Sequence, residues 1–174
     1  MSAKVVWIIG YPNAGKTEVA KALCTLMRNA GRPVVLLDGD EIRRIFSLEA
    51  TDYDRPGRLR NARRIGLLAQ TLSQQGIPVV VAANTLFQEA QAENRERIPG
   101  YFEVYLSASE ALRRQRDGQK DLYGRFDRGE TKSVLGLDLP GDEPTSPHLV
   151  LDMDSGITPL AAAETILAAS GAAG

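Results

Sequence analysis

The sequence predicts an α/β fold, a five-stranded parallel sheet flanked by helices, and three observations predict it. Short all-apolar runs such as Val5-Val6-Trp7-Ile8-Ile9 and Val79-Val80-Val81-Ala82-Ala83 have the length and unbroken apolarity of strands covered on both faces. A helical pattern follows each of the first four runs, an alternation that right-handed crossovers wind into one sheet with helices on both sides. Gly10, Asp38, Asn84 and Ser107 then all fall at the carboxyl ends of strands, the edge where such sheets gather ligands.

Taken in order, the first strand, Val5 to Ile9, runs through Gly10-Tyr11-Pro12-Asn13-Ala14-Gly15-Lys16-Thr17 into a helix from Lys16 to about Ala30, closed by Gly31. The spacing G-x-x-x-x-G-K-T reads as a phosphate-binding loop. Its glycines let successive backbone N–H groups, among them those of Asn13, Ala14 and Gly15, curl around a phosphate chain at a helix N-terminus. Lys16 reaches the β- and γ-phosphates and the Thr17 hydroxyl coordinates Mg²⁺, so the loop predicts ATP or GTP with Mg²⁺.

The second run, Pro33 to Leu37, ends at Asp38-Gly39-Asp40 and is followed by a short helix from Glu41 to about Phe46. Gly39 allows a sharp turn that brings both carboxylates toward the phosphate loop. Asp40 is placed to hold Mg²⁺ or its waters, to accept a proton from an attacking hydroxyl, or to act as N-cap of the helix beginning at Glu41. A polar loop through Tyr53 and Pro56 leads to a basic amphipathic helix from about Arg58 to Gln75, with Ile65, Leu68, Ala69 and Leu72 on its inner stripe. Arg43, Arg58, Arg60, Arg63 and Arg64 crowd this region, and guanidinium forks suit phosphate or sulfate.

The third strand, Val79 to Ala83, ends without a Walker-B aspartate, a helix spans Gln88 to Arg97, and the fourth strand is Phe102 to Leu106. After a helix from about Ser109 to Arg116, the segment Asp117 to Pro147 is rich in Gly, Asp and Arg and has little apolar periodicity. It predicts a mobile lid. The last strand is Leu149 to Met153, an Ala-rich helix covers Pro159 to about Ala169, and residues 170–174 form a frayed tail. His148 has no second histidine to share a metal and reads as structural.

The 174 residues suit one domain, and 21 Lys and Arg against 22 Asp and Glu leave no broad nucleic-acid footprint. The single cysteine, Cys24, lies on the apolar face of the first helix and reads as a small buried thiol. No apolar run approaches the ~20 residues of a membrane span, and the start Met1-Ser2-Ala3-Lys4 does not resemble a signal peptide. The expectation is a cytoplasmic protein with a small-molecule acceptor, no nucleic acid and no membrane partner.

The phosphate loop, Leu37-Asp38-Gly39-Asp40 with Arg43, Asn61-Ala62-Arg63-Arg64-Ile65-Gly66, Arg116-Asp117-Gly118-Gln119-Lys120-Asp121-Leu122-Tyr123, Gly129-Glu130 and Pro144 to Leu149 together resemble the adenylylsulfate kinase family, in the family's order and from about Lys4 to Met153. The resemblance implies a P-loop kinase of the nucleoside-monophosphate-kinase type that moves the γ-phosphoryl of ATP to the 3′-hydroxyl of adenylylsulfate, and it allows a homodimer. It makes Asp40 the catalytic aspartate beside Lys16, and brings Arg43, Arg58 and Asn61 to the acceptor nucleotide. It adds Asp38, Tyr53 and Thr85 to the acceptor site, Arg116 to the ATP site and Lys120 to the lid. Where the family carries Ile-Ser-Pro after the third strand this chain has Asn84-Thr85-Leu86, with Gln88 for the arginine that follows. Tyr53 stands for a phenylalanine, Val134 for a second base-stacking phenylalanine, and Pro140-Gly141-Asp142 for Pro-Tyr-Glu. A lost aromatic wall removes stacking of about 1 to 3 kcal/mol per base, so a relative acting on another nucleotide conjugate or small metabolite stands beside the first reading. A nucleotide-dependent switch is the third; the chain lacks the Asn-Lys-x-Asp guanine signature that would favour it.

Overall fold

The computed structural model describes residues 4–46, 53–118 and 121–171. The first half runs β1 (Val5–Ile9), α1 (Lys16–Asn29), β2 (Val35–Asp38), α2 (Gly39–Phe46), α3 (Arg55–Gln74), β3 (Val79–Ala83). The second half runs α4 (Gln88–Arg97), β4 (Tyr101–Ser107), α5 (Glu110–Gln115), α6 (Leu122–Asp127), β5 (Leu149–Asp152) and α7 (Pro159–Ser170). All five strands are parallel, in the order β2-β3-β1-β4-β5, so β1 is central and delivers the phosphate loop to the middle of the ligand-bearing edge.

Strand alternation sorts the apolar residues into two cores, one on each face of the sheet. Val5, Trp7 and Ile9 of β1, with Val79, Val81 and Ala83 of β3, pack against Ala62, Ile65 and Ala69 of α3 and Ala90 of α4. Val6 and Ile8, with Val80, Ala82, Val104 and Leu106, pack against Val19, Leu23, Cys24 and Met27 of α1 and Ala162, Ala163 and Ile166 of α7. Burial pushes the Cys24 thiol pKa up, against a smaller opposing pull from Arg28. Trp7 is fully buried, and its indole N–H donates to the Thr85 hydroxyl at 3.1 Å.

Among the buried charged residues described, one is completely out of water. Glu103 of β4 is fully buried; its carboxylate takes Arg95 Nη2 and the Tyr101 hydroxyl, both at 2.7 Å. Its backbone N–H donates to His148 Nδ1 at 3.0 Å, and the His148 ring stacks on Phe102 with centroids 5.1 Å apart. His148 thus helps seat β5 on β4.

Several boundaries move from the sequence expectation, each for a local reason. α2 begins at Gly39 rather than Glu41, because Asp38 Oδ1 accepts the N–H groups of Asp40 at 2.9 Å and Glu41 at 3.4 Å. The cap is Asp38, not Asp40. α3 begins three residues early, at Arg55, because Asp54 Oδ1 accepts Gly57 N–H at 2.7 Å and Pro56 fits a first helical turn. The segment expected to lack regular structure contains α6, whose first N–H groups, those of Leu122 and Tyr123, donate to the Asp117 carboxylate at 3.0 and 2.6 Å. Of the tail, Ser170 closes α7 and is buried, and residues 172–174 lie outside the described ones.

The same segment also enters the core: Leu135 is fully buried in the α3–α4 layer and Val134 is 2% exposed. Truncating Leu135 to alanine should therefore lower the unfolding free energy by about 2 to 5 kcal/mol, the range for deleting a packed core side chain. Urea denaturation measures it; a loss below about 0.5 kcal/mol, the size of a surface change, would place Leu135 outside the core.

Candidate active site

The loop after β1 is built by what its glycines leave out. A Cβ on Gly10 would fall 2.9 Å from the Leu106 carbonyl oxygen, so only glycine lets the chain leave the sheet this close to β4. Gly15, at φ 100°, hands the chain into α1 and Asn13 also takes positive φ, at 62°. Gly10 and Ala14 are buried, whereas Asn13, Gly15, Lys16 and Thr17 line a cleft of about 1560 Å³ at the carboxyl edge of the sheet. Lys16 Nζ spans the loop and donates to the Tyr11 carbonyl at 2.6 Å. The loop is fastened from outside as well. Asn13 Nδ2 donates to Asp117 Oδ1 at 2.9 Å, and Arg116 Nη1 donates to the Ala14 carbonyl at 3.1 Å. Burial raises the Asp117 carboxyl pKa, but N–H donors from Tyr123, Asn13 and Leu122 outweigh it and hold it below the ordinary value.

Opposite the loop stand two carboxylates with different duties. Asp38 Oδ2 accepts the Thr17 hydroxyl at 2.8 Å while Oδ1 caps α2, so Asp38 joins the start of α1 to the start of α2. Asp40, in the first turn of α2, is exposed and lines the cleft. Thr17, Asp38 and Asp40 form an all-oxygen donor set of the kind Mg²⁺ takes. Among the described residues no three His, Cys, Asp or Glu side chains converge on a metal site, so a cation here would complete its shell from phosphate oxygens.

The far wall of the cleft is cationic. Arg43 and Arg58 are 9% and 8% exposed, and their guanidiniums lie 4.7 and 5.6 Å from the centroid of the Tyr53 ring. Arg58 Nε donates to the Tyr53 carbonyl at 2.7 Å and Nη2 to the Ser133 carbonyl at 2.9 Å. Burial, then repulsion from Arg43, pulls the Arg58 pKa down to about 10. It stays protonated at neutral pH, and an anion between the two arginines would relieve the repulsion. Asn61 donates to the Gly39 carbonyl at 3.2 Å and leaves its Oδ1 without a hydrogen bond.

The cleft therefore brings together Lys16, Thr17, Asp38, Asp40, Arg43, Tyr53, Arg58, Asn61 and Arg116. Thr85 lines it too, but its hydroxyl accepts the Trp7 indole and its carbonyl accepts Gln91 Nε2 at 3.0 Å, so its first duty is to the core. Lys120 lies outside the described residues. Sequence reasoning missed Lys132 and Ser133, which line the cleft without any motif of their own. It also gave no role to Tyr11, although an aromatic inside a phosphate loop is a visible signal.

A sequence model of the family described as adenylylsulphate kinase matches residues 2–152. The adenylyl-sulfate kinase of Chloroflexus aurantiacus is 39% identical over 153 residues, 88% of this chain and 81% of that one. The cytidine diphosphoramidate kinase of Campylobacter jejuni is 34% identical over 140 residues, 80% of this chain and 81% of that one. The structure of the Mycobacterium tuberculosis APS kinase in complex with AMPPNP and APS superposes with a TM-score of 0.87 at 28% identity, covering 97% of both chains. A phosphate loop facing a buried arginine pair across one cleft accords with these matches, and the chain belongs to the adenylylsulfate kinase family of phosphotransferases.

Proposed function

We propose that the protein transfers the γ-phosphoryl group of ATP to the 3′-hydroxyl of adenylylsulfate. The observation that carries this reading is that the Arg43–Arg58 pair, set against the Tyr53 ring, lines the same cleft as the phosphate loop. A phosphosulfate and its nucleoside offer what that wall takes: anionic oxygens for two guanidinium forks and a ring for an aromatic face. The mycobacterial relative was solved with both an ATP analogue and APS, which supports the same division of the cleft here.

In this reading Gly10 and the residues from Asn13 to Thr17 hold the phosphate chain on the N-terminus of α1, Lys16 draws charge off the transferring group, and Arg116 borders the nucleotide. Thr17, with Asp40, would hold Mg²⁺, which neutralises charge on the phosphates. Both oxygens of Asp38 are committed, one to Thr17 and one to the α2 N-terminus, so accepting the acceptor's proton falls to Asp40. Part of the segment 117–147 acts as a lid over the bound pair, with Lys120 in it, and stays anchored by the Leu135 side chain in the core. The protein works in the cytoplasm, and a homodimer is compatible with the family.

A second acceptor is favoured by one observation. Val134, in the place where the resemblance implies a stacking phenylalanine, is buried and leaves Tyr53 as the aromatic face of the acceptor wall. The Campylobacter relative named for cytidine diphosphoramidate shares as much identity as many adenylyl-sulfate kinases do. ADP release from ATP, followed with adenylylsulfate, cytidine diphosphoramidate and gluconate as acceptors, decides it. Turnover with adenylylsulfate at least tenfold above the others is expected, and preference for the cytidine conjugate would transfer the assignment.

Two substitutions test the roles. Asp40→Asn should unfold near the parent and lose roughly a hundredfold in kcat, the scale of a missing general base. Asp38→Ala should instead cost about 1 to 3 kcal/mol of stability, since it strips a helix cap and the partner of Thr17. Equal melting of the two variants, or Asp40→Asn turnover within a few-fold of the parent, would reverse the assignment. Lys16→Ala should lose about 3 to 5 kcal/mol of transition-state stabilisation with the fold intact, read from kcat/KM and circular dichroism.

A further inference from the structure

Tyr11 is the first variable residue of the phosphate loop, yet it does not line the cleft. Its ring lies 4.5 Å from the Arg113 guanidinium and is gripped by two glycines of the segment that follows α6. A Cβ on Gly136 would fall 2.6 Å from Tyr11 Cδ1, and one on Gly141 would fall 3.1 Å from Cε1. The Tyr11 hydroxyl donates to the Gly141 carbonyl at 3.4 Å. Arg113, 6% exposed, is itself held by donating Nη1 to the Tyr123 hydroxyl at 2.9 Å.

The slot that holds the ring belongs to a tight turn that ends at the acceptor wall. Gly136 N–H donates to the Leu139 carbonyl at 2.8 Å, and Leu139 N–H returns to the Val134 carbonyl at 3.2 Å. Asp138 takes the N–H groups of Ser133 and Val134 at 2.8 and 2.7 Å. Ser133, fixed at φ 57°, then offers its carbonyl to Arg58. From Tyr11 to Arg58 every link is a close packing contact or a hydrogen bond.

We propose that Tyr11, seated between Gly136 and Gly141 beneath Arg113, is a positioning residue that couples the nucleotide loop to the acceptor wall, so that ATP in the loop tightens binding of the acceptor. The proposal rests on the two-substrate reading of the cleft given above. Phosphates bound by the loop immobilise its backbone, Tyr11 included, and a fixed ring keys the 133–139 turn and with it the Arg58 fork. The acceptor then meets a wall already ordered and loses less entropy on binding. A ring that merely fills core volume would stabilise the fold and leave the two affinities independent.

The experiment uses the full chain with a non-hydrolysable ATP analogue. Adenylylsulfate affinity is measured by titration with and without the analogue, and amide hydrogen exchange over 133–139 is followed in the same two states without acceptor. The parent should bind adenylylsulfate about tenfold tighter with the analogue present, and the analogue alone should slow exchange over 133–139. Tyr11→Ala should bind the analogue within about threefold of the parent while the tenfold gain and the exchange protection both vanish, at no more than a modest change in the unassisted acceptor affinity. Tyr11→Phe, which keeps the ring in the slot, should restore both. If Tyr11→Ala does not fold, Tyr11→Leu replaces it, since a branched aliphatic chain offers no planar face to Arg113. Parental coupling in Tyr11→Ala or Tyr11→Leu, or coupling lost equally in Tyr11→Phe, would overturn the proposal. A parent that binds the analogue but not adenylylsulfate refutes the acceptor assignment alone; the exchange arm needs no acceptor and still decides the coupling.

Discussion

The phosphate loop stands where it does because β1 is dry on both faces. Its five residues are 2% exposed or less, and with strands on either side of it β1 cannot shift without breaking two ladders and two cores together. That rigidity fixes where Gly10 leaves the sheet, and the closeness of the Leu106 carbonyl fixes that the residue there has no side chain. A dry strand also has obligations. The Trp7 indole brings a donor into the core, where an unmet N–H costs on the order of 1 to 3 kcal/mol, and Thr85 answers it. One of the residues at the end of β3 is therefore committed from within before any ligand reaches it.

Across the cleft the logic is electrostatic. Arg43 and Arg58 are held close while largely out of water, an arrangement that burial and like charge both oppose. The fold tolerates it because α2 and α3 are fastened at their starts by carboxylates, Asp38 and Asp54, and because Arg58 is pinned by two carbonyls. Local stability elsewhere thus maintains a positive potential that an anionic acceptor would relieve. The carboxylate ties at the loop, Thr17 to Asp38 and Asn13 to Asp117, are the counterpart on the donor side.

How much of this was legible in the residues depends on the range of the interaction that decides each feature. Five strands and the phosphate loop follow from contiguous patterns, so β1 and β3 begin and end where their apolar runs do. The start of α2 was placed two residues late, at Glu41 behind Asp40, because Asp38 and Asp40 are equally good caps by type and only the geometry of the strand end chooses the first. α6 was hidden because its N–H groups are met by Asp117, a carboxylate beyond its own first turn and itself held by Asn13 some hundred residues earlier. The slot for Tyr11 was hidden for the same reason: Gly136 and Gly141 look like loop glycines until the ring that needs them is in place. The proposed acceptor role of Arg43, Arg58 and Asn61 came from resemblance, since no spacing rule predicts that their side chains line one cleft.

The burial of Cys24 has a practical side. A thiol sealed between β1, α1 and α7, with its pKa pushed up, offers neither thiolate nor access to an oxidant or alkylating reagent. Reaction must wait until the α1–α7 layer opens. With one cysteine in 174 residues, a single chemical label reads out that opening without any engineered probe. Because α1 begins at Lys16, the same label senses how firmly a filled nucleotide loop clamps the layer beneath it.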